Sequence, residues 1–172
     1  MNRMFDPTVF DNVKVVFEGS VYDLDLEGLI DVTGRNDIMD LSLFSRTYRV
    51  RFRLKGSNGT EAELLLGADL ANLASEILEQ SGPVPGCTLS VRFAFQTGTP
   101  EISCAEAERL IRGIWGEEYK LTQQVKYSFG ERQALYHIQA ELHFHRLFTE
   151  SLIEDIPELL SHVMLTLQQL DK

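Results

Sequence analysis

The feature that most constrains the fold is an unbroken alternation of polar and apolar residues at positions 47 to 55, T-Y-R-V-R-F-R-L-K. Successive side chains of a β-strand point to opposite faces, so this spacing places Tyr48, Val50, Phe52 and Leu54 on one face. The other face is then largely basic. A strand of this kind fits a sheet that is covered on one side and polar on the other, which is typical of antiparallel sheets.

A Gly-X turn beginning at Gly19 predicts a first hairpin, because the segments on both sides of it alternate. Residues 13–17 then pair with 22–26, and the apolar residues fall on one face. The stretch from 22 to 34, Y-D-L-D-L-E-G-L-I-D-V-T-G, also spaces its carboxylates like an EF-hand calcium loop. However, a calcium loop that begins at Asp23 would have Gly34 at its twelfth position instead of a bidentate glutamate, and the segment before it is β-like. We therefore interpret the carboxylates as the polar face of a strand.

Further strands are predicted from the same alternation and from the turns between them. Two more hairpins are predicted for residues 48–55 with 61–66 and for residues 119–129 with 132–144, and single strands for 38–44 and 89–95. The expected registers place Leu54 opposite Ala62 in the second hairpin and Val125 opposite Tyr136 in the third.

Helical spacing of apolar residues is confined to three segments. They lie at 69–81, from the capping-box pattern Ser103-x-x-Glu106 to Gly116, and behind Pro157 as far as Leu170. A separate short turn or helix is predicted at 149–156. The resulting order, β-β-β-β-β-α-β-α-β-β-α, predicts an α+β fold: a largely antiparallel sheet built from β-hairpins with about three helices packed on it.

Length and composition fit a single domain over residues 1–172, and the G-P-V-P-G run places a candidate subdomain boundary near 82–97. The net charge is −10, and an acidic surface repels nucleic-acid backbones and anionic lipids. No apolar run approaches the length of about 18 residues needed for a membrane-spanning helix. The amino terminus does not resemble a secretory signal and the chain has only two cysteines, so we expect a cytoplasmic protein.

Three of the chain's four histidines lie close together in the last predicted hairpin. On a strand, His137, Glu141, His143 and His145 would project from one face, with His143 and His145 about 7 Å apart along the chain. Imidazole and carboxylate donors suit zinc, iron or manganese. The alternative is a solvated strand face on which Lys120 pairs with Glu141. No cofactor is predicted, and a divalent metal at these four residues is kept as an alternative.

The basic face of the strand at 47–55 is a candidate anion-binding site, with Arg49, Arg51 and Arg53 as its residues. The alternative is that the glutamates at 61 and 63 neutralise these arginines across the second hairpin. No glycine-rich phosphate loop and no stacking aromatic side chain accompanies them, which argues against a nucleic-acid site.

Cys104 is a further candidate, since it follows Ser103, the predicted N-cap residue of a helix. A helix N-terminus stabilises a thiolate and can make a cysteine reactive. Because no histidine lies near it in sequence, and because cysteines outside disulfides behave mostly as small buried hydrophobic residues, we favour a structural role for Cys104.

Among the usual catalytic motifs, neither a nucleophile elbow, nor a zinc-protease helix, nor a dinucleotide fingerprint is found in the sequence. The leading hypothesis is therefore a non-catalytic protein that acts by protein–protein association or by binding a small ligand between sheet and helices. A homodimer, formed in part by the last helix, is expected as one form of association. The alternatives are a metal-dependent enzyme, such as a hydrolase, built on the histidine face, and a phosphate or nucleic-acid binder built on the arginines.

Overall fold

The computed structural model describes residues 9–69, 86–131 and 135–172. The described helices are α1 (Val9–Leu26), α2 (Pro100–Trp115) and α3 (Ile156–Leu170), with a 3-10 helix at Glu150–Asp155. The strands are β1 (Ile30–Asp40), β2 (Ser45–Leu54), β3 (Glu61–Ala68), β4 (Thr88–Thr97), β5 (Lys120–Lys126) and β6 (Tyr136–His143). They form one sheet in the order β1-β2-β3-β4-β6-β5, and every neighbouring pair is antiparallel.

This architecture confirms the predicted α+β fold. The helix expected at 69–81 and most of the G-P-V-P-G run lie outside the described residues, so the proposed subdomain boundary stays a prediction. In the described part of the chain, no helix is long and apolar enough to cross a bilayer.

The core lies between one face of the sheet and the helices. Tyr48, Val50 and Phe52 of β2 are buried on this face, as the alternation predicts, and Phe93 of β4 joins them. Helix α1 contributes four buried side chains on one stripe: Phe10, Val13, Phe17 and Val21. Helix α3 packs beside both α1 and α2, which completes the covered layer.

The predicted first hairpin is wrong, because residues 13–26 belong to helix α1. Both interpretations place Val13 and Phe17 on one face. They differ at Val15, which a strand would bury with them and which is 67% exposed in the helix. The segment folds as a helix because the helical stripe also brings Val21, four residues beyond Phe17, into the core. The tertiary burial of four side chains therefore outweighs the low helix propensity of valine and glycine.

The carboxylates of residues 22–34 are consequently neither one strand face nor a calcium loop. Asp23 and Asp25 lie in the last turn of α1, and the chain then turns at Gly28, whose φ is +76°. Asp31 lies in β1, where Lys55 donates to it over 2.7 Å, and this hydrogen bond lowers the pKa of the carboxyl. The strand predicted at 38–44 in fact starts at Ile30 and ends at Asp40.

The two other predicted hairpins form, but each register differs from the prediction by two residues. Phe52, not Leu54, lies opposite Ala62, and Val125 lies opposite Ile138 instead of Tyr136. Both loops are longer than expected. A shift of two residues leaves every side chain on its predicted face, because strand side chains repeat with a period of two.

A tertiary contact accounts for the longer loop between β2 and β3. Asp171, just beyond α3, accepts hydrogen bonds from the Ser57 hydroxyl at 2.7 Å and from the main-chain N–H of Thr60 at 2.6 Å. These bonds hold the loop open against the last helix instead of letting it close as a tight turn. Because Asp171 lies 111 residues after Thr60, the local turn pattern could not reveal the contact.

The ends of α2 and α3 agree with those predicted from the sequence, except for the start of α2. Helix α2 begins at Pro100 with Thr99 as N-cap residue, so the capping box predicted at Ser103 is wrong. The Ser103 hydroxyl lies instead 2.7 Å from that of Thr97. Gly116 ends α2 with φ +83°, and the 3-10 helix precedes α3 where the separate short helix is predicted.

Replacing Gly19 by alanine is expected to raise the free energy of unfolding by about 1 kcal/mol, because glycine in a helix interior is less favourable than alanine. In the described part of the chain, a Cβ at this position meets nothing within 4 Å. Gly28→Ala is the matched control, since its positive φ makes alanine unfavourable there. Urea unfolding of both variants measures the change, and a Gly19→Ala variant less stable than wild type would indicate a turn at this position instead of a helix.

An ion-pair cluster joins α1 to the β1–β2 hairpin. Arg46 donates to both carboxylate oxygens of Asp37, over 3.1 and 2.9 Å, and Lys14 of α1 also donates to Asp37. The hydrogen bonds from Arg46, with help from Lys14, lower the pKa of Asp37 to about 2. The ionised carboxylate is thus favoured by the folded state.

An Asp37→Asn variant is expected to lose about 1 to 2 kcal/mol of stability at pH 7. A lowered pKa stabilises the fold above the unfolded pKa of about 4, and this contribution disappears as the pH falls from about 4 toward 2. Urea unfolding at several pH values should therefore show the two proteins converging in acid. The exposed Glu27, changed to glutamine, is the control, and an Asp37→Asn deficit that does not shrink below pH 4 would contradict the assignment.

Candidate functional site

The side of the sheet opposite the apolar core carries many of its charged side chains. We call this surface the polar face and define it by eight residues: Arg49, Arg51, Arg53, Glu61, Glu63, Arg92, Glu141 and His143. The strand registers align four of them in a row of alternating charge across β2, β3, β4 and β6: Arg51, Glu63, Arg92 and Glu141.

Arg92 holds this row together. Its Nε donates to Oε2 of Glu141 over 2.9 Å, and its Nη1 donates to Oε1 of Glu63 over 3.1 Å. Both glutamates are about 15% exposed, so water and salt screen these ion pairs less than ordinary surface pairs. The row is a structural network in which most of the charge is compensated internally.

The three candidate anion-binding arginines do lie together on the polar face. Arg51 packs over Gly34 of β1, where a Cβ would come within 2.5 Å of its guanidinium, and its Nε lies 3.7 Å from Glu63. The buried Nε atoms of Arg49, Arg51 and Arg53 have no hydrogen-bond partner in the described structure. Glu63 offsets part of their charge, and an anion at these residues stays a prediction.

The histidine candidates are only partly brought together. Glu141 and His143 are neighbours, with 3.8 Å between a carboxylate oxygen and Nδ1, while His137 lies six residues back along β6 beside Gln96. His145 follows the end of β6 and lines a different surface, described below. Within the described ranges, no three His, Cys, Asp or Glu side chains are grouped so that they could hold a metal ion. A metal at the four predicted residues would need side chains to move, and it stays a prediction.

Cys104 lies inside α2 rather than at its start, because the helix begins four residues earlier. Partial burial raises the pKa of its thiol, so the cysteine is not activated as a thiolate. Its main-chain oxygen accepts a hydrogen bond from Gln123 of β5 over 2.8 Å, which fastens the helix to the sheet. Because this bond uses the main chain, a structural role for the Cys104 side chain stays a prediction.

A second surface, absent from the candidates chosen by sequence, lies where the end of β6, the end of α2 and the start of α3 meet. We call it the aromatic cleft. Its larger cavity has a volume of about 510 Å³ and is lined by Glu118, Tyr119, Phe144, His145, Arg146, Phe148, Leu152, Asp155 and Leu159. Its smaller cavity, of about 320 Å³, is lined by Trp115, Tyr119, Asp155, Glu158, Leu159 and His162. The cavities adjoin, since Tyr119, Asp155 and Leu159 line both of them.

The aromatic walls of the cleft are firmly held. The ring centroids of Tyr119 and Phe144 are 4.7 Å apart, and each lies about 6 Å from that of Trp115. The Trp115 indole N–H donates to the buried hydroxyl of Thr166 over 2.9 Å, which fixes the orientation of the indole. The cleft therefore does not need to reorganise in order to present aromatic surface to a ligand.

The floor and the acidic rim of the cleft come from the chain between β6 and α3 and from the first turn of α3. Phe148 and Cys87 exchange two main-chain hydrogen bonds, of 2.7 and 3.0 Å, which tie this connection to the start of β4. Asp155 is the N-cap residue of α3, but its side chain makes no capping hydrogen bond. Glu158 accepts a bond from His162 through its main-chain oxygen instead of its carboxylate. Among the described residues, neither carboxylate has a hydrogen-bond or ion-pair partner, so both can face a ligand.

Comparison of the chain with models of protein families, with curated proteins and with solved structures gave no significant match. The function must therefore be argued from the geometry of this chain alone.

Proposed function

We propose that the protein is a non-catalytic, cytoplasmic binding protein whose ligand is a small organic molecule held in the aromatic cleft. The observation that carries the proposal is the pair of adjoining cavities with fixed aromatic walls between sheet and helices. Ligand sites are typically concave, of about 300 to 1,000 Å³, mostly apolar, and furnished with a few polar groups. The larger cavity has this size, with Phe144, Phe148 and Leu152 as apolar lining and Asp155 and Arg146 as polar groups.

The proposal is tested by titrating the protein with 1-hexanol and its charged analogues hexyltrimethylammonium and hexanesulfonate. Trp115 is the chain's single tryptophan and lines the smaller cavity, so its fluorescence reports on the cleft directly. A Leu152→Phe variant, which narrows the larger cavity, should weaken binding about tenfold or more. Val15→Phe, which adds a ring on the exposed side of α1, is the matched control and should bind like the wild type. If none of the three probes binds with a change in Trp115 fluorescence, the proposal fails.

A groove between α1 and α3 favours a second function, homodimerisation. The groove has a volume of about 570 Å³, and its apolar lining includes Leu24, Leu29, Leu160, Met164 and Leu165. Leu165 is 43% exposed, and Leu26 at the end of α1 is 85% exposed. We propose that a second copy of the chain covers this apolar strip through a two-fold interface, the commonest form of oligomer.

Light scattering tests the dimer. The wild type should have twice the chain mass of 19.5 kDa, and Leu165→Glu should have the mass of one chain, because a charge cannot be buried there without a partner. Val15→Glu, at an exposed position of α1 outside the groove, should remain a dimer. A wild type that is monomeric at all concentrations would contradict this proposal and would leave the ligand proposal unaffected.

A further inference from the structure

The smaller cavity of the aromatic cleft differs chemically from the larger one. It is lined by the carboxylate residues Asp155 and Glu158 together with Trp115 and Tyr119, and no lysine or arginine is among its described lining residues. Arg146 lines the larger cavity. The smaller cavity is therefore the more acidic end of the cleft, while Phe144, Phe148 and Leu152 give the larger cavity most of the apolar surface.

Two independent forces at the acidic end favour a positive charge. The faces of tryptophan and tyrosine attract cations through the ring quadrupole, most strongly where water is partly excluded. The two carboxylates add a direct electrostatic attraction. Trp115 is only 8% exposed, and its hydrogen bond to Thr166 keeps it in place. A cation in this cavity would not displace an existing ion pair, since Asp155 and Glu158 use neither carboxylate for the helix cap or for His162.

The start of α3 by itself would favour an anion, because a helix N-terminus carries partial positive charge. At this helix, however, Asp155 at the N-cap and Glu158 in the first turn already supply two negative charges. His162 donates its Nδ1–H to the main-chain oxygen of Glu158, over 2.8 Å, because a carbonyl oxygen can only accept. The described lining of this cavity thus contains two carboxylate side chains and no lysine or arginine.

From this polarity we infer that the ligand of the aromatic cleft is a small organic cation: an ammonium head group in the smaller cavity, carried on an apolar chain that lies in the larger cavity. This inference rests on the proposed function, because it specifies the ligand of the same cleft. The head group lies near Trp115 and Tyr119 and is paired with Asp155 and Glu158. The chain contacts Phe144, Phe148, Leu152 and Leu159.

The test compares three probes with the same six-carbon chain: hexyltrimethylammonium, neutral 1-hexanol and anionic hexanesulfonate. Titration followed by Trp115 fluorescence and by calorimetry should show the cation binding about tenfold more tightly than 1-hexanol, and the sulfonate more weakly than both. The advantage of the cation should fall as salt is added, because salt screens charges in an open cleft.

An Asp155→Asn/Glu158→Gln double variant should bind the cation and 1-hexanol with affinities within about twofold of each other. Its unchanged affinity for 1-hexanol shows that the cleft is still folded. Glu154→Gln is the matched control, since Glu154 is an exposed acid next to Asp155 that lines neither cavity.

Two failures are distinguishable. If 1-hexanol or the sulfonate binds the wild type as tightly as the cation, or if the double variant keeps the preference for the cation, the cation inference is overturned and the ligand cleft remains. If no probe binds, both the cleft and the cation are contradicted.

Discussion

Replacing Phe17 by alanine is expected to lower the free energy of unfolding by about 3 to 5 kcal/mol, the usual effect of removing a buried aromatic ring. Phe17 is fully buried in the middle of α1, and its ring lies 5.6 Å from that of Phe148. Phe148 in turn lines the aromatic cleft, so the variant removes support from the floor of the cleft as well. Urea unfolding at constant temperature, followed by circular dichroism, measures the loss.

Val15→Ala is the matched control on the same helix. Because Val15 is 67% exposed, its truncation should change stability by less than about 0.5 kcal/mol. A hairpin at residues 13–26 would bury Val15 beside Phe17, and then both truncations would be costly. A loss of more than about 2 kcal/mol in Val15→Ala would therefore contradict the helical assignment of α1.

Replacing Arg92 by methionine is expected to destabilise the fold by about 2 to 4 kcal/mol at pH 7. The change leaves Glu63 and Glu141 without the side chain that pairs with both of them, while each remains largely shielded from water. Removing one partner of a shielded ion pair lowers the stability of the fold more than replacing all partners by uncharged residues. The reason is that the remaining charge stays desolvated. Urea unfolding of the variant gives the magnitude.

Two comparisons identify the cause of that loss. Arg112→Met breaks an exposed pair with Glu108 four residues earlier on α2, and should change stability by less than about 0.5 kcal/mol. Adding Glu63→Gln and Glu141→Gln to Arg92→Met should restore most of the stability, since neither shielded carboxylate charge remains without Arg92. If the triple variant is as unstable as Arg92→Met alone, packing of the arginine stem, and not charge, accounts for the effect.

Strands β2 to β6 could be predicted because their period of two is clear, whereas β1, predicted at 38–44, occupies Ile30–Asp40. In β2, Tyr48, Val50 and Phe52 have no alternative helical stripe, and all three are buried as expected. Helix α1 could not be predicted with the same rule, because Val13 and Phe17 satisfy both the strand and the helix pattern. Only the burial of Val21 together with Phe10 distinguishes the two patterns, and this burial depends on tertiary contacts.

The polar face was foreseeable in part, since Arg49, Arg51 and Arg53 share it through their spacing alone. Its central ion pairs could not be predicted, because Arg92 lies on β4. The neighbours of this strand in the sheet are known only from the full topology. That topology places Arg92 between Glu63 and Glu141.

The aromatic cleft could not be predicted from local sequence patterns. Trp115, Tyr119, Phe144 and Asp155 come from four separate elements or connections, and each has an ordinary core or surface role when considered alone. Of the residues singled out by their spacing, only His145 reaches this surface, and it does so because β6 ends at His143 and the chain turns away.

The most direct test of the account is a crystal structure of the protein with bound hexyltrimethylammonium. We predict the ammonium nitrogen within about 6 Å of the ring centroids of Trp115 or Tyr119, and the alkyl chain beside Phe144 and Leu152. Density for the compound only in the groove between α1 and α3, or only on the polar face, would contradict the assignment of the aromatic cleft as the binding site.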